Sequence, residues 1–113
     1  MNNCLFCKII SGEISSNKRF ENEDIVAFDD IRPKAPVHIL IIPKKHITSV
    51  AELTDEDAGI IAKLILTARD LAKENGLNKN GYRLVFNTKT HAGQEVDHIH
   101  LHLLGGKPLG KME

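Results

Sequence analysis

One helical segment between two groups of strand-like segments is the feature that most limits how this chain of 113 residues can fold. Thr54 is a good N-cap, and the acidic residues 55–57 put negative charge in the first turn, where the helix dipole favours it. Gly76 is a natural stop. Between them, apolar residues at helical spacing predict one buried stripe, formed by Ile61, Leu64, Ile65, Ala68, Leu71 and Ala72.

Short strand-like segments lie on both sides of this helix. The pattern predicts a short helix over residues 5–11 and strands over residues 20–23, 25–29, 37–42, 82–87 and 96–104. The segment from Val37 to Ile42 is apolar enough to be buried on both faces, and Pro43 stops it. We therefore expect a single α+β domain over residues 1–113, with a mainly antiparallel sheet and the long helix packed on one face.

The charge balance limits the classes of partner. Fifteen basic and fifteen acidic side chains cancel, so the sequence lacks the broad basic field that non-specific nucleic-acid binding requires. The start of the chain lacks the pattern of a signal peptide, and the longest apolar stretch, Val37 to Pro43, is too short to span a bilayer. We expect a cytoplasmic protein that binds neither nucleic acid nor membrane.

Three histidines alternate with apolar residues near the end of the chain. On a strand, His98, His100 and His102 would project from one face, and packing does not explain three imidazoles in a row. Such histidines could share a metal ion, or the central one could be a nucleophile whose neighbours fix its tautomer. The preceding loop favours the second interpretation, because Gly93 lets backbone amides approach an anion and Asn87 and Gln94 add neutral donors.

The two cysteines, Cys4 and Cys7, are separated by two residues. A chain of this size without an export signal needs no disulfide to hold its fold. The pair is therefore interpreted as reduced thiols, either metal ligands or a redox couple.

Several motifs together resemble one known family. The segment His98-Ile99-His100-Leu101-His102-Leu103-Leu104 resembles the signature of the histidine triad (HIT) family. The likeness extends to its Hint branch, the histidine triad nucleotide-binding proteins, over nearly the whole chain. The segments that carry it are residues 35–38, 42–47, 76–78, 81–83, 92–94 and 104–106, together with Asn87.

The resemblance implies a homodimer in which two α+β protomers join their sheets. It also implies hydrolysis of nucleoside monophosphates with a substituted phosphate, notably purine nucleoside phosphoramidates. His100 would attack the phosphate and form a nucleotidyl-histidine that water then cleaves. His38 and His98 would orient His100, and His102 would lie beside the phosphate and the departing group.

The resemblance also assigns the residues that bind a purine mononucleotide such as AMP or GMP. Asp30 would bind the ribose hydroxyls, and the base pocket would be formed by Phe6, Ile9, Phe28, Asp29 and Ile31. His100, His102, Asn87, Gly93, Gln94 and Glu95 would surround the phosphate. Glu95 departs from the family, which usually has a serine there, and its carboxylate would repel the substrate unless it turns away or is protonated.

A zinc site is implied by the same resemblance. Cys4, Cys7, His46 and His98 resemble the zinc ligands of several bacterial members. Two thiolates and two imidazoles would make a closed tetrahedral site without an open position for substrate, so the zinc would be structural. The chemistry itself would require no cofactor.

Two other functions remain open at the level of sequence. A metal-dependent hydrolase would use the triad histidines as ligands and would lose activity on chelation. A non-enzymatic nucleotide-binding or adaptor protein would bind nucleotide without turnover.

Overall fold

The computed structural model describes residues 3–111, so both ends of the expected domain, residues 1–2 and 112–113, lie outside it. The elements confirm the α+β class. They are α1 (Leu5–Ser11), β1 (Lys18–Glu21), β2 (Ile25–Asp29), β3 (Val37–Pro43), α2 (Ala58–Glu74), β4 (Tyr82–Val85) and β5 (Leu101–Gly105), with short 3-10 turns at Val50–Glu52, Asp55–Asp57 and Thr90–Ala92. Within residues 3–111, no helix has the length and apolar character that a membrane crossing requires.

The five strands form one antiparallel sheet in the order β1-β2-β3-β5-β4. The centre is therefore the pair β3–β5, whose register sets Leu40 opposite His102 and His38 opposite Leu104. Two strands, β1 and β4, are the edges of this sheet. The register brings two histidines from distant parts of the sequence to the middle of the sheet.

Strand β3 is buried on both faces, as its continuous apolar sequence predicts. Ile39 and Ile41 pack on one side with Leu64, Ala68 and other residues of α2. On the opposite side, Leu40 and Ile42 join a smaller cluster that also contains Phe6, Ile9, Val26 and Phe28. The short helix α1 thus closes the second face and brings the N-terminal cysteines to the sheet.

The long helix starts and ends close to the predicted residues. Thr54 precedes the 3-10 turn Asp55–Asp57, which leads directly into α2, and its N–H donates to the carboxylate of Asp57 at 2.9 Å. Lys45 also donates to Asp57, at 2.8 Å, and this contact ties the start of α2 to the end of β3. Ile65 differs from the prediction, since it is exposed whereas the rest of its stripe is at least partly buried.

The strand predicted over residues 96–104 is correct only in its second half, since β5 begins at Leu101. Its partner β3 ends at Pro43, which has no N–H to donate to a ladder. The segment before Leu101 bends away from an extended strand. In it, His98 N–H bonds to the carbonyl of Val96, and Ile99 N–H bonds to the carbonyl of Ile47. Consequently His98 and His100 lie on a loop and only His102 lies on the strand.

The two other inaccurate strand boundaries lie at the sheet edges. Strand β1 covers residues 18–21 instead of 20–23, and β4 ends at Val85 instead of continuing to Asn87. Edge strands have only one neighbour to define their ends, so their lengths depend on turns that apolar patterning does not specify.

Candidate active site

A cleft of about 460 Å³ opens on the α1 side of the sheet. Nine of the residues expected to bind nucleotide line it together: Phe6, Ile9, Phe28, Asp29, Asp30, Ile31, Glu95, His100 and His102. The apolar members come from α1, β2 and the loop after β2, whereas the two histidines come from the end of the chain. Asn87, Gly93 and Gln94 do not line this cleft.

His100 is held in one tautomer by the backbone. Its Nδ1 lies 2.7 Å from the carbonyl oxygen of His98, which can only accept a hydrogen bond, so Nδ1 carries the hydrogen. The lone pair is then on Nε2. Burial lowers the pKa of His100, although this carbonyl and the charges of Asp30 and Glu95 act in the opposite direction. Burial therefore favours the neutral imidazole, the form that a nitrogen nucleophile requires.

His102 is bonded to His38, with Nδ1 of His102 2.9 Å from Nε2 of His38. The backbone N–H of Lys34 donates to the other nitrogen of His38, Nδ1, at 3.1 Å. Nε2 of His38 therefore carries its hydrogen, and the carboxylate of Asp30, 3.5 Å away, is a second acceptor for it. Burial lowers the pKa of His38, and burial with the nearby His100 and His38 lowers that of His102 to about 4.

His38 and His98, which are both expected to orient His100, make different contacts with the two rings of the cleft. The ring of His38 contacts His102, and His98 contacts His100 only through its backbone carbonyl. The imidazole of His98 faces away, toward the cysteines. The ring centroids of His100 and His102 are 4.9 Å apart, so these two side chains are neighbours in the cleft.

The adjacent carboxylates Asp29 and Asp30 have different environments. Both oxygens of Asp29 accept from Arg19, at 2.8 and 3.0 Å, and Asn17 donates to one of them. Asp30 accepts from the N–H of Arg32 at 2.9 Å and keeps its other oxygen toward His38 and the cleft. The carboxylate of Asp30 is therefore less occupied by protein donors than that of Asp29 and is the better acceptor for a ligand.

The loop expected to hold phosphate uses its donors internally. The side-chain amide of Gln94 donates to the carbonyls of Thr48 and Val96, and its oxygen accepts from the N–H of Lys89. The N–H groups of Gly93 and Gln94 bond to carbonyls of Thr90 and Lys89. Gln94 therefore shapes the loop in this structure, and the exposed Glu95 is its member that lines the cleft.

Two cationic residues that sequence reasoning missed also line the cleft. Arg32 and Lys34 belong to the proline-containing connection between β2 and β3, and they are positioned to attract an anionic ligand. The signal in the sequence that could have found them is their position two and four residues after Asp30.

A second cluster lies beside the cleft and is formed by Cys4, Cys7, His46 and His98. One potential ligand atom from each residue lies within 4.8 Å of the others. The Sγ atoms of Cys4 and Cys7 are 3.3 and 3.6 Å from Nδ1 of His98, and Cys7 Sγ is 3.3 Å from Nδ1 of His46. These four residues are close enough to bind one metal ion.

The hydrogen bonds of His98 fit that role. Its Nε2 lies 2.8 Å from the carbonyl oxygen of Pro43 and so carries the hydrogen, which leaves the lone pair of Nδ1 directed at the cysteines. A metal-binding imidazole usually donates its other N–H to such a carbonyl. The donor set, two thiols and two imidazoles, is the one that structural zinc sites use.

A second group of residues does not have hydrogen bonds that suit a metal ion. Asp30, His38 and His102 also place ligand atoms within 4.8 Å of one another. However, the N–H of Lys34 fixes the hydrogen of His38 on Nε2, the atom that faces the other two residues. That atom is a donor and offers no lone pair to a cation, so this geometry does not support a metal ion between Asp30, His38 and His102.

The site is thus a pair of histidines beside an apolar cleft, in an α+β domain whose antiparallel sheet is covered by one long helix. A family model described as "Scavenger mRNA decapping enzyme C-term binding" matches residues 3–112. The purine nucleoside phosphoramidase of Escherichia coli K12 is 46% identical over 108 residues, which cover 96% of this chain and 91% of that protein. The chain belongs to the histidine triad (HIT) family.

Solved structures agree with this assignment. A HIT family hydrolase from Legionella pneumophila Philadelphia 1 superposes with a TM-score of 0.92 at 54% identity, over 96% of this chain and 100% of that chain. A histidine triad protein from Clostridium difficile superposes with a TM-score of 0.95 at 41% identity, over 100% of this chain and 98% of that chain. The fold is thus shared over essentially its full extent.

The low pKa of His102 predicts a loss of stability in acid. An unfolded histidine has a pKa of about 6.5, whereas the folded value is about 4. The neutral ring therefore makes its full contribution to the free energy of unfolding at a pH above the pKa of unfolded histidine. That contribution is lost as the pH falls toward the pKa of His102 in the folded protein. The free energy of unfolding, measured with denaturant across this pH range, should depend less on pH for His102→Asn than for the unchanged protein.

The control is His91→Asn, at an exposed position, which should keep the pH dependence of the unchanged protein. The same pH dependence in all three proteins would contradict the low pKa of His102.

Proposed function

We propose that this protein hydrolyses purine nucleoside phosphoramidates through a nucleotidyl-histidine intermediate on His100. The observation that carries the proposal is the contact of 2.7 Å between His100 Nδ1 and the His98 carbonyl, which leaves a lone pair on Nε2 in a ring that lines the cleft. The similarity to the purine nucleoside phosphoramidase of Escherichia coli K12 supports the same reaction class.

The reaction would proceed in two displacements. In the first, Nε2 of His100 forms a bond to phosphorus, and the phosphorus–nitrogen bond of the substrate breaks. The departing nitrogen takes the electron pair and a proton from His102, whose protonated form the negative charge of the bound phosphate and Asp30 would stabilise. In the second, water attacks phosphorus, returns one proton to His102 and releases His100. The products are a nucleoside monophosphate and an amine.

The cleft suits the remainder of a nucleotide. Phe6, Ile9 and Phe28 offer apolar walls for a base, and Ile31, with 92% of its surface exposed, offers an apolar side chain that a base could cover. Asp30 would accept hydrogen bonds from ribose hydroxyls. Lys34 and Arg32 would attract the phosphate, in part offsetting the repulsion from Glu95.

The Cys4, Cys7, His46 and His98 cluster is proposed to hold a structural zinc. Four protein ligands would complete its coordination, so the zinc would fix the N-terminus and the loop before β5 and take no part in the chemistry. The proposal rests on the proximity of the four residues and on the Pro43 carbonyl that orients His98.

A homodimer joined through β4 is also proposed. Within residues 3–111, β4 pairs with β5 on one side only, and Leu84 on it is 36% exposed. An unpaired edge with an exposed apolar residue is a template for strand pairing, which a second copy would satisfy by continuing the sheet.

Removing the nucleophile tests the proposed reaction. His100→Ala should abolish turnover of an adenosine phosphoramidate while it leaves AMP binding measurable by calorimetry, because the base and ribose contacts remain. The matched control is His91→Ala, on an exposed position that does not line the cleft, and it should keep full turnover. Rapid acid quenching should trap labelled nucleotide only on proteins that retain His100. Substantial turnover by His100→Ala would remove this residue from its role.

The ribose contact gives a prediction for Asp30. Hydrogen bonds to a charged acceptor are each worth about 1.5–3 kcal/mol, so 2′-deoxy-AMP should bind about tenfold or more weakly than AMP. AMP and GMP should bind similarly, since apolar walls distinguish groups of similar shape poorly. Asp30→Asn should reduce the difference between ribose and deoxyribose, whereas Asp29→Asn should retain it because Arg19 and Asn17 already occupy that carboxylate. Equal binding of AMP and 2′-deoxy-AMP by the unchanged protein would refute this role of Asp30.

Metal analysis tests the zinc site. Protein produced in zinc-replete medium should carry about one zinc per chain, and Cys7→Ser should lose the metal and part of the thermal stability. His102→Ala should retain the metal, because His102 is not a member of this cluster. Chelation should change stability more than turnover. An absence of zinc from the unchanged protein would dismiss the site.

The dimer is tested at the two sheet edges. Light scattering at micromolar concentration should give twice the chain mass of 12.6 kDa. Leu84→Lys on β4 should shift the protein to monomer, because it places a charge in the proposed interface. Phe20→Lys, at an exposed position on the opposite edge strand β1, should remain dimeric. A monomeric unchanged protein would exclude this assembly.

A further inference from the structure

The connection between β2 and β3 is closed by three of its own backbone N–H groups. Asp30 N–H donates to the carbonyl of His38 at 3.0 Å, Arg32 N–H donates to the Asp30 carboxylate at 2.9 Å, and Lys34 N–H donates to Nδ1 of His38 at 3.1 Å. Pro33 and Pro36 restrict the backbone on either side of Lys34. The loop thus holds one amide against one nitrogen of a buried imidazole.

This amide determines where the hydrogen of His38 resides. A backbone N–H can only donate, so Nδ1 of His38 must offer its lone pair, and the hydrogen of the neutral ring is on Nε2. That Nε2–H lies 2.9 Å from Nδ1 of His102, which must therefore accept. The hydrogen of neutral His102 is then on its Nε2. One backbone amide thereby sets the tautomers of two successive rings.

We propose that the backbone N–H of Lys34 is a positioning group for the reaction, which acts through His38 to keep His102 in its Nε2-protonated tautomer. The role of this tautomer in catalysis rests on the proposed function. Because His102 lines the cleft, an N–H on its free nitrogen is the donor available to a phosphoryl oxygen or departing nitrogen there. The Lys34 side chain is not required for this action.

The same contact opposes protonation of His102 on Nδ1. A hydrogen there would face the Nε2–H of His38, and His38 cannot turn its lone pair to it without opposing the N–H of Lys34. The charged or titratable groups that act on His102 are His100, His38, Asp30 and Lys34, and among these only Asp30 is an anion. Asp30 is therefore the one group of this set that would stabilise the protonated ring.

The direct test is the tautomer of each ring in the unchanged protein. Imidazole proton–nitrogen correlation spectra of nitrogen-15-labelled protein near neutral pH should show both His38 and His102 as neutral rings protonated on Nε2. This measurement needs neither substrate nor a variant. Protonation of either ring on Nδ1 would overturn the proposal.

Two substitutions at one position separate the amide from the side chain. Lys34→Pro removes the N–H and should release His38 from its tautomer, allow His102 to populate its Nδ1-protonated tautomer and raise the pKa of His102. Lys34→Ala keeps the N–H and should preserve both tautomers. A folded Lys34→Pro protein with unchanged tautomers and an unchanged His102 pKa would overturn the proposal.

The outcomes also distinguish this inference from the proposed function. If Lys34→Pro does not fold, the spectra of the unchanged protein and of Lys34→Ala decide the tautomers, and loss of the Nε2 tautomers in Lys34→Ala would refute a role of the amide. If the unchanged protein shows the expected tautomers but does not cleave a phosphoramidate, the proposed function fails while the hydrogen-bond assignment is supported.

Discussion

The pairing of β3 with β5 is the interaction on which the site depends. Its register sets Leu40 opposite His102, and this brings the rings of His38 and His102 into contact across 64 residues of sequence. The apolar side chains of β3 fill the cores on both faces, so neither strand can shift by one residue without exposing them. Hydrophobic packing therefore supplies much of the energy that fixes the register of the two histidine-bearing strands.

Backbone groups then give each histidine a different chemistry. Two carbonyls, those of His98 and Pro43, each hold the hydrogen of one ring and leave a lone pair on the other nitrogen, which suits a nucleophile at His100 and a metal ligand at His98. One amide, that of Lys34, does the reverse at His38 and makes its inner nitrogen a donor. Three similar side chains thus acquire different roles from partners that any sequence provides, once the fold has placed them.

The sequence predicted the parts of this molecule that periodic patterns encode. The helix from Thr54 to Gly76, the doubly buried β3 and the convergence of Phe6, Phe28 and Asp30 with the histidines all follow from spacing or from motif resemblance. The bend before His100 does not follow from the sequence pattern. Apolar and polar residues continue to alternate through residues 96–100, but Pro43 has no N–H with which β3 could continue its hydrogen bonds to this segment. The role of Gln94 within its loop was also hidden, since its partners include Thr48, 46 residues away. The histidine tautomers could not be predicted from the sequence for the same reason, since they depend on which backbone N–H or carbonyl the fold places beside each ring.

The exposed position of Glu95 limits the difficulty that its charge creates for the proposed anionic substrate. Glu95 is exposed, so water and salt screen its charge, and its repulsion of a phosphate falls with ionic strength. Its effect on His100 is to favour the protonated ring, which opposes nucleophilic attack, but burial acts in the opposite direction and is the larger influence on that pKa. A carboxylate at the rim can therefore be tolerated because His100, the proposed nucleophile, is buried. The same carboxylate in the interior would hold His100 in its charged form, and the lone pair on which the proposed reaction depends would be lost.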